Sequence, residues 1–128
     1  MRLAIATMIG VLLTAAAGLS LCKAVGWNAS PAALAIGGGV FFVGASIGQI
    51  PLILTRGADQ AAVTQAGLLA TLAHMFVGLA AAAIVIFSGA KFAPQFVCWA
   101  FAFYVVTLCI LVAEIIRAVK SATIYQAK

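Results

Sequence analysis

Residues 67–88 read GLLATLAHMFVGLAAAAIVIFS, a run free of Asp, Glu, Lys and Arg. About 20 apolar residues cross a ~30 Å hydrocarbon core as a helix. The one strongly polar member of the run is His74, the only histidine in the chain. Three more apolar runs lie outward from it, at Leu3–Cys22, Ala32–Leu54 and from Phe96 through Ile116 to about residue 119. In lipid every backbone polar group needs an internal partner, so each run is expected to be helical. The connecting segments Lys23–Pro31, Thr55–Ala66 and Gly89–Gln95 are short, which makes neighbouring helices antiparallel. The expected fold is an all-α membrane protein, four transmembrane helices in an antiparallel bundle. Residues 1–128 form a single membrane domain, with helices near 3–22, 32–54, 67–88 and 96–119.

Composition leads to the same class. Of 128 residues 66% are hydrophobic and 7% charged, with mean hydropathy +1.27. A soluble domain of this size cannot hide so much apolar surface. The lipid bilayer is therefore its first partner. The net charge is +5, but the basic residues are scattered, which excludes a nucleic-acid interface. Cys22, Cys98 and Cys109 are odd in number and lie in or beside apolar runs, unlike a disulfide framework or a zinc site. No cofactor or metal is expected. No Gly-rich phosphate loop, nucleophile–base pair or carboxylate pair supports enzyme chemistry. Met1-Arg2 followed by apolar residues resembles a signal peptide, but the stretch to Cys22 is long enough to span and is expected to be retained.

With four spans both termini and the second loop share one side. That side carries Arg2, Arg56, Arg117, Lys120 and Lys128; the other carries Lys23 and Lys91. The positive-inside rule then places both termini in the cytoplasm. The setting expected is a bacterial inner membrane. Phe96, Trp99, Phe101, Phe103 and Tyr104 fall near the opposite edge and read as an aromatic belt.

Four polar residues are expected in one cytoplasmic half-layer. His74 lies about 10 Å in from Gly67, Glu114 about 5 Å in from Arg117 and Gln49 about 8 Å in from Leu54, at 1.5 Å per residue. Thr7 enters at a similar level on the first helix. Groups at such depth face the bundle interior and pair. His74 is expected to bond Glu114 or a carbonyl. A proton or cation relay and recognition of a partner helix are the other roles for this layer. Glu114 has its own alternative, an ion pair with Arg117 at i+3. On the second helix Gly37, Gly44 and Gly48 line one stripe, suited to close packing inside the bundle or against a partner. Pro51 is expected to bend the end of that helix.

Ala35-Ile36-Gly37-Gly38-Gly39-Val40-Phe41-Phe42 runs to Gln49-Ile50-Pro51. A polar residue stands early in the third helix, here His74 after Gly67-Leu68-Leu69-Ala70-Thr71-Leu72-Ala73. The fourth closes with Phe103-Tyr104-Val105-Val106, then Glu114 and a basic end. This layout resembles the ATP synthase protein I family, small membrane proteins associated with rotor-ring assembly of F-type ATP synthases and with proposed divalent-cation supply. The resemblance implies an accessory, assembly-assisting role, with Gly37, Gly44 and Gly48 meeting glycine-rich helices of an ATP synthase rotor subunit. The alternatives are a small divalent-cation or proton transporter, completed by a homo-oligomer, and an accessory subunit of another respiratory or photosynthetic complex.

Overall fold

The computed structural model describes residues 2–55 and 57–126, with side chains for 5–55 and 57–124. Four helices follow in order: α1 Arg2–Val25, α2 Pro31–Leu54, α3 Gln60–Phe87 and α4 Ala93–Gln126. All four are long and apolar enough to cross a membrane, and the chain is an integral membrane protein of the all-α, four-helix class. Arg56, Lys128 and the side chain of Arg2, three of the five cations expected on one side, lie outside the described residues.

Local chemistry sets each boundary. α1 ends in a Schellman turn. Gly26 sits at φ +73°, its N–H donates to Lys23 O (3.2 Å) and the Trp27 N–H donates to Cys22 O (2.8 Å). α2 begins where Ser30-Pro31 indicated, with Pro31 supplying a preset φ and Ser30 Oγ accepting the Ala33 N–H at 3.4 Å. Pro51 lies inside the last turn of α2, which continues to Leu54.

α1 runs three residues past Cys22 to Val25, and two helices are longer than expected by six residues or more. α3 starts at Gln60, seven residues before Gly67, because Asp59 caps it by accepting the Ala62 N–H at 2.8 Å. α4 starts at Ala93 and continues to Gln126. At 1.5 Å per residue α4 is about 51 Å long and overhangs a ~30 Å core.

α2 and α4 run parallel and pack together at the centre. α3 lies antiparallel against both, and α1 packs on α4 and α2 from the other side. The described residues of α1 and α3 do not approach each other. Glycines make these contacts close. A Cβ at Gly10 would meet Ile110 Cδ1 at 2.6 Å, and one at Gly67 would meet Ile115 Cγ2 at 2.7 Å. Gly18 lies directly under the Trp99 ring.

The core has two parts. One gathers Ala33, Phe41, Val85, Phe96, Trp99, Ala100 and Phe103 near the first and third loops. The other gathers Leu52, Ala66, Ala70 and Leu111 nearer the termini. The aromatic belt read from Phe96–Tyr104 is corrected here. Phe96, Trp99 and Phe103 are buried core residues, and Trp99 stacks on Phe103 with centroids 5.9 Å apart. Only Phe101 of the five is exposed to lipid. These rings fill the space that α2 and α1 glycines leave open: Gly37 faces Phe103 and Trp99, and Gly38 faces Phe103 and Val11.

Candidate functional site: the His74 seat

His74 is completely buried where α2, α3 and α4 meet. Its Nε2 lies 3.0 Å from Thr107 Oγ1. The Thr107 hydroxyl donates to Phe103 O at 2.7 Å and is shared with Tyr104 O at 3.2 Å. Thr107 Oγ1 and His74 Nε2 share one hydrogen bond, whose direction follows the imidazole tautomer. The imidazole lies flat on Tyr104, with centroids 5.3 Å apart and planes 4° apart. Phe41 meets it edge-on at 5.8 Å. On the remaining side Nδ1 faces Gly44, where an added Cβ would stand 3.3 Å away. Nδ1 meets no partner in full hydrogen-bond geometry, and the backbone of Gly44 is the polar group beside it.

Each element contributes through a specific local reason. Gly44 leaves room for the ring on α2. Gly78, one turn beyond His74 on α3, leaves room for Phe41, since a Cβ there would meet Phe41 Cε1 at 2.9 Å. Thr107 is held by its own helix carbonyls, a pattern common for hydroxyl residues inside apolar helices. The seat is a lock between α3 and α4, roofed by α2.

The other expected members of the polar layer are distributed along the bundle. Gln49 is buried about one turn nearer the termini, beside Gly48, which packs on Ala70 and Leu111. Its Nε2 has no hydrogen-bond partner. Thr7 is buried on α1 and has an interaction partner. Glu114 lies seven residues beyond Thr107 on α4, about 10 Å along the axis at 1.5 Å per residue. The expected His74–Glu114 bond is therefore absent. Glu114 Oε1 instead accepts from Arg117 Nη1, the i,i+3 alternative, with Arg117 largely exposed. The layer is a staircase, because α3 and α4 continue past the ends of their apolar runs and the polar residues fall at different heights along them.

The stripe of Gly37, Gly44 and Gly48 is also resolved. All three are buried within the bundle. Gly44 faces Val77 and His74, and a Cβ at Gly48 would stand 3.0 Å from the Ala70 carbonyl oxygen. The surface expected to meet a rotor helix is covered by α3 and α4, so these glycines pack the monomer and offer no docking face.

Thr107, Tyr104 and Phe41 are the seat residues that the sequence did not connect to His74. What joins them is the register of the packed helices: Gly67 packs on Ile115, and stepping seven residues along each antiparallel helix brings His74 level with Leu108, beside Thr107. Among the described residues no group of three or more His, Cys, Asp or Glu side chains could hold a metal ion. Comparison with known protein families, characterised proteins and solved structures returns no match.

Proposed function

We propose that this chain is a non-enzymatic accessory protein that acts by helix contact within a membrane. Following the family resemblance, its partner is an F-type ATP synthase of a bacterial inner membrane, where it assists rotor-ring assembly. The observation that supports a contact role is the closed His74 seat. His74 Nε2 bonds Thr107 and the ring packs on Tyr104 and Phe41, which locks α3 to α4. What the bundle presents outward is apolar: Leu12 and Leu13 on α1, and Leu68, Leu69, Phe76 and Leu79 on α3. With the glycine stripe internal, those faces are where a partner helix would dock. Both termini are assigned to the cytoplasm by the basic residues at that end.

The test is a native pull-down through a tag after Lys128 in mild detergent. Recovery of rotor or stator subunits supports assembly of an ATP synthase. Recovery of a different large complex moves the protein to that complex, and recovery of the chain alone removes the accessory reading.

Transport is the second reading, favoured by one specific observation. Gln49 Nε2 is buried without a hydrogen-bond partner, and His74 Nδ1, fully buried, has only the Gly44 backbone beside it. Ionisable residues inside membrane spans mark ion or proton paths in other proteins. Purified protein in liposomes would then carry a proton or divalent-cation flux that His74→Leu and Gln49→Leu abolish. Background flux from the native chain rejects it.

A further inference from the structure

At the loop end of the bundle an open cleft of about 350 Å³ lies between the last turns of α1 and the first loop. Leu19, Ser20, Cys22, Lys23, Trp27 and Asn28 line it, together with Ala29. The Schellman turn builds this cleft. Gly26 reverses the chain and the Trp27 N–H returns to Cys22 O, which brings the indole and Asn28 back beside the final turn of α1. The same two bonds satisfy the Cys22 and Lys23 carbonyls, so part of the negative end of α1 is neutralised. The opposite wall, Asn28–Ala29, immediately precedes the positive N-terminus of α2.

Charge then decides what the cleft takes. The chain has only two acidic residues, Asp59 and Glu114. Both lie at the other end of the bundle, Asp59 capping α3 and Glu114 paired with Arg117. Lys23 thus has no carboxylate at its own end to neutralise it. It stands at the membrane edge with a tryptophan, where apolar chain continues along α1 toward Leu19. An occupant that satisfies this lining has an anionic head for the ammonium and for the side-chain donors of Asn28 and Trp27, the Ser20 hydroxyl being donated to Ala16 O. It also has an apolar tail that follows the lipid-exposed side of α1.

We propose that the cleft seats the phosphate headgroup of an anionic phospholipid, with Lys23 as its charge partner. The probe is phosphatidylglycerol, in nanodiscs containing equal amounts of phosphatidylglycerol and phosphatidylcholine, read by native mass spectrometry of the released protein. The native chain is expected to keep phosphatidylglycerol at least about fivefold over phosphatidylcholine. Lys23→Gln is expected to lose that preference. Lys91→Gln removes the other cation at this end without touching the cleft and is expected to keep it. Asn28→Asp adds a negative charge to the lining while leaving Lys23 in place, and is expected to lose the preference as Lys23→Gln does. No preference in the native chain, or equal loss in Lys23→Gln and Lys91→Gln, overturns the proposal. Displacement of the retained lipid by millimolar inorganic phosphate would assign the cleft to the free anion and also overturn it.

Discussion

His74 illustrates how far a single residue can be read. That an only histidine inside an apolar run must be buried and bonded follows from the cost of a polar group in lipid. Which group bonds it depends on interhelical register, and register is set by glycines and the side chains that fill them. Depth counted from apolar run ends put Glu114 in the same layer; the true reference, Gly67 against Ile115, selects Thr107. Two predictions belong here. Thr107→Val should leave His74 Nε2 without its hydrogen-bond partner and destabilise the bundle by about 1–2 kcal/mol, while Thr107→Ser should recover most of the loss. Denaturation in mixed detergent–SDS micelles measures both, and a His74→Leu/Thr107→Val double variant should cost less than the two singles summed. The glycines separate in the same way. Gly48→Ala places a methyl 3.0 Å from a backbone oxygen that cannot rotate away, so α2 and α3 must part, at about 1–3 kcal/mol. Gly39 has nothing within 4 Å, and Gly39→Ala should be neutral or stabilising, because alanine favours the helix by up to about 1 kcal/mol. The same micelle denaturation should rank them in that order.

At the scale of elements, the four helices were legible because ~20-residue apolar runs leave one solution in lipid. Their ends were less so. Hydropathy marks where a helix enters the hydrocarbon, but capping marks where it starts, and Asp59 extends α3 outward by two turns beyond its apolar run. The aromatic cluster shows the same limit from another side. Near one edge of a span, a belt facing lipid and a core facing glycines have the same composition, and only the neighbouring helix decides between them. Gln95 is a further element-level device that composition conceals. Its Oε1 accepts the Ser30 N–H at 2.6 Å and its Nε2 donates to Asn28 O at 3.0 Å, tying the first loop to the start of α4. Gln95→Leu should free both backbone groups and raise amide hydrogen exchange across residues 28–30 well above the native rate, with little change in the His74 seat. Glu114→Gln, by contrast, removes an exposed i,i+3 pair and should change stability by less than about 0.5 kcal/mol in the same micelle titration.

The molecule as a whole has two unlike ends. At one, Gln95 ties the first loop to the start of α4, and Lys23 and Lys91 are its cations. At the other, α3 and α4 project past the core, and the described Arg117 and Lys120 stand on the overhang of α4 with only Glu114 and Asp59 as counter-charges. A helix of about 51 Å in a ~30 Å core has to leave the hydrocarbon at one end or both. The fully buried Phe96 anchors the start of α4 within the loop-end core, so the surplus falls on the side of Thr123. Four spans then require residues 91 and 123 to face opposite compartments. In a background with Cys22, Cys98 and Cys109 replaced by alanine, Lys91→Cys and Thr123→Cys can be labelled in intact cells with a membrane-impermeant maleimide. Lys91→Cys should label from outside, and Thr123→Cys only after the membrane is opened, because cations concentrated on the overhang resist translocation. Labelling of both positions from the same side would break the four-span topology. Labelling in the reversed order would keep the topology but turn the bundle over, placing the Lys23 cleft against the cytoplasmic leaflet.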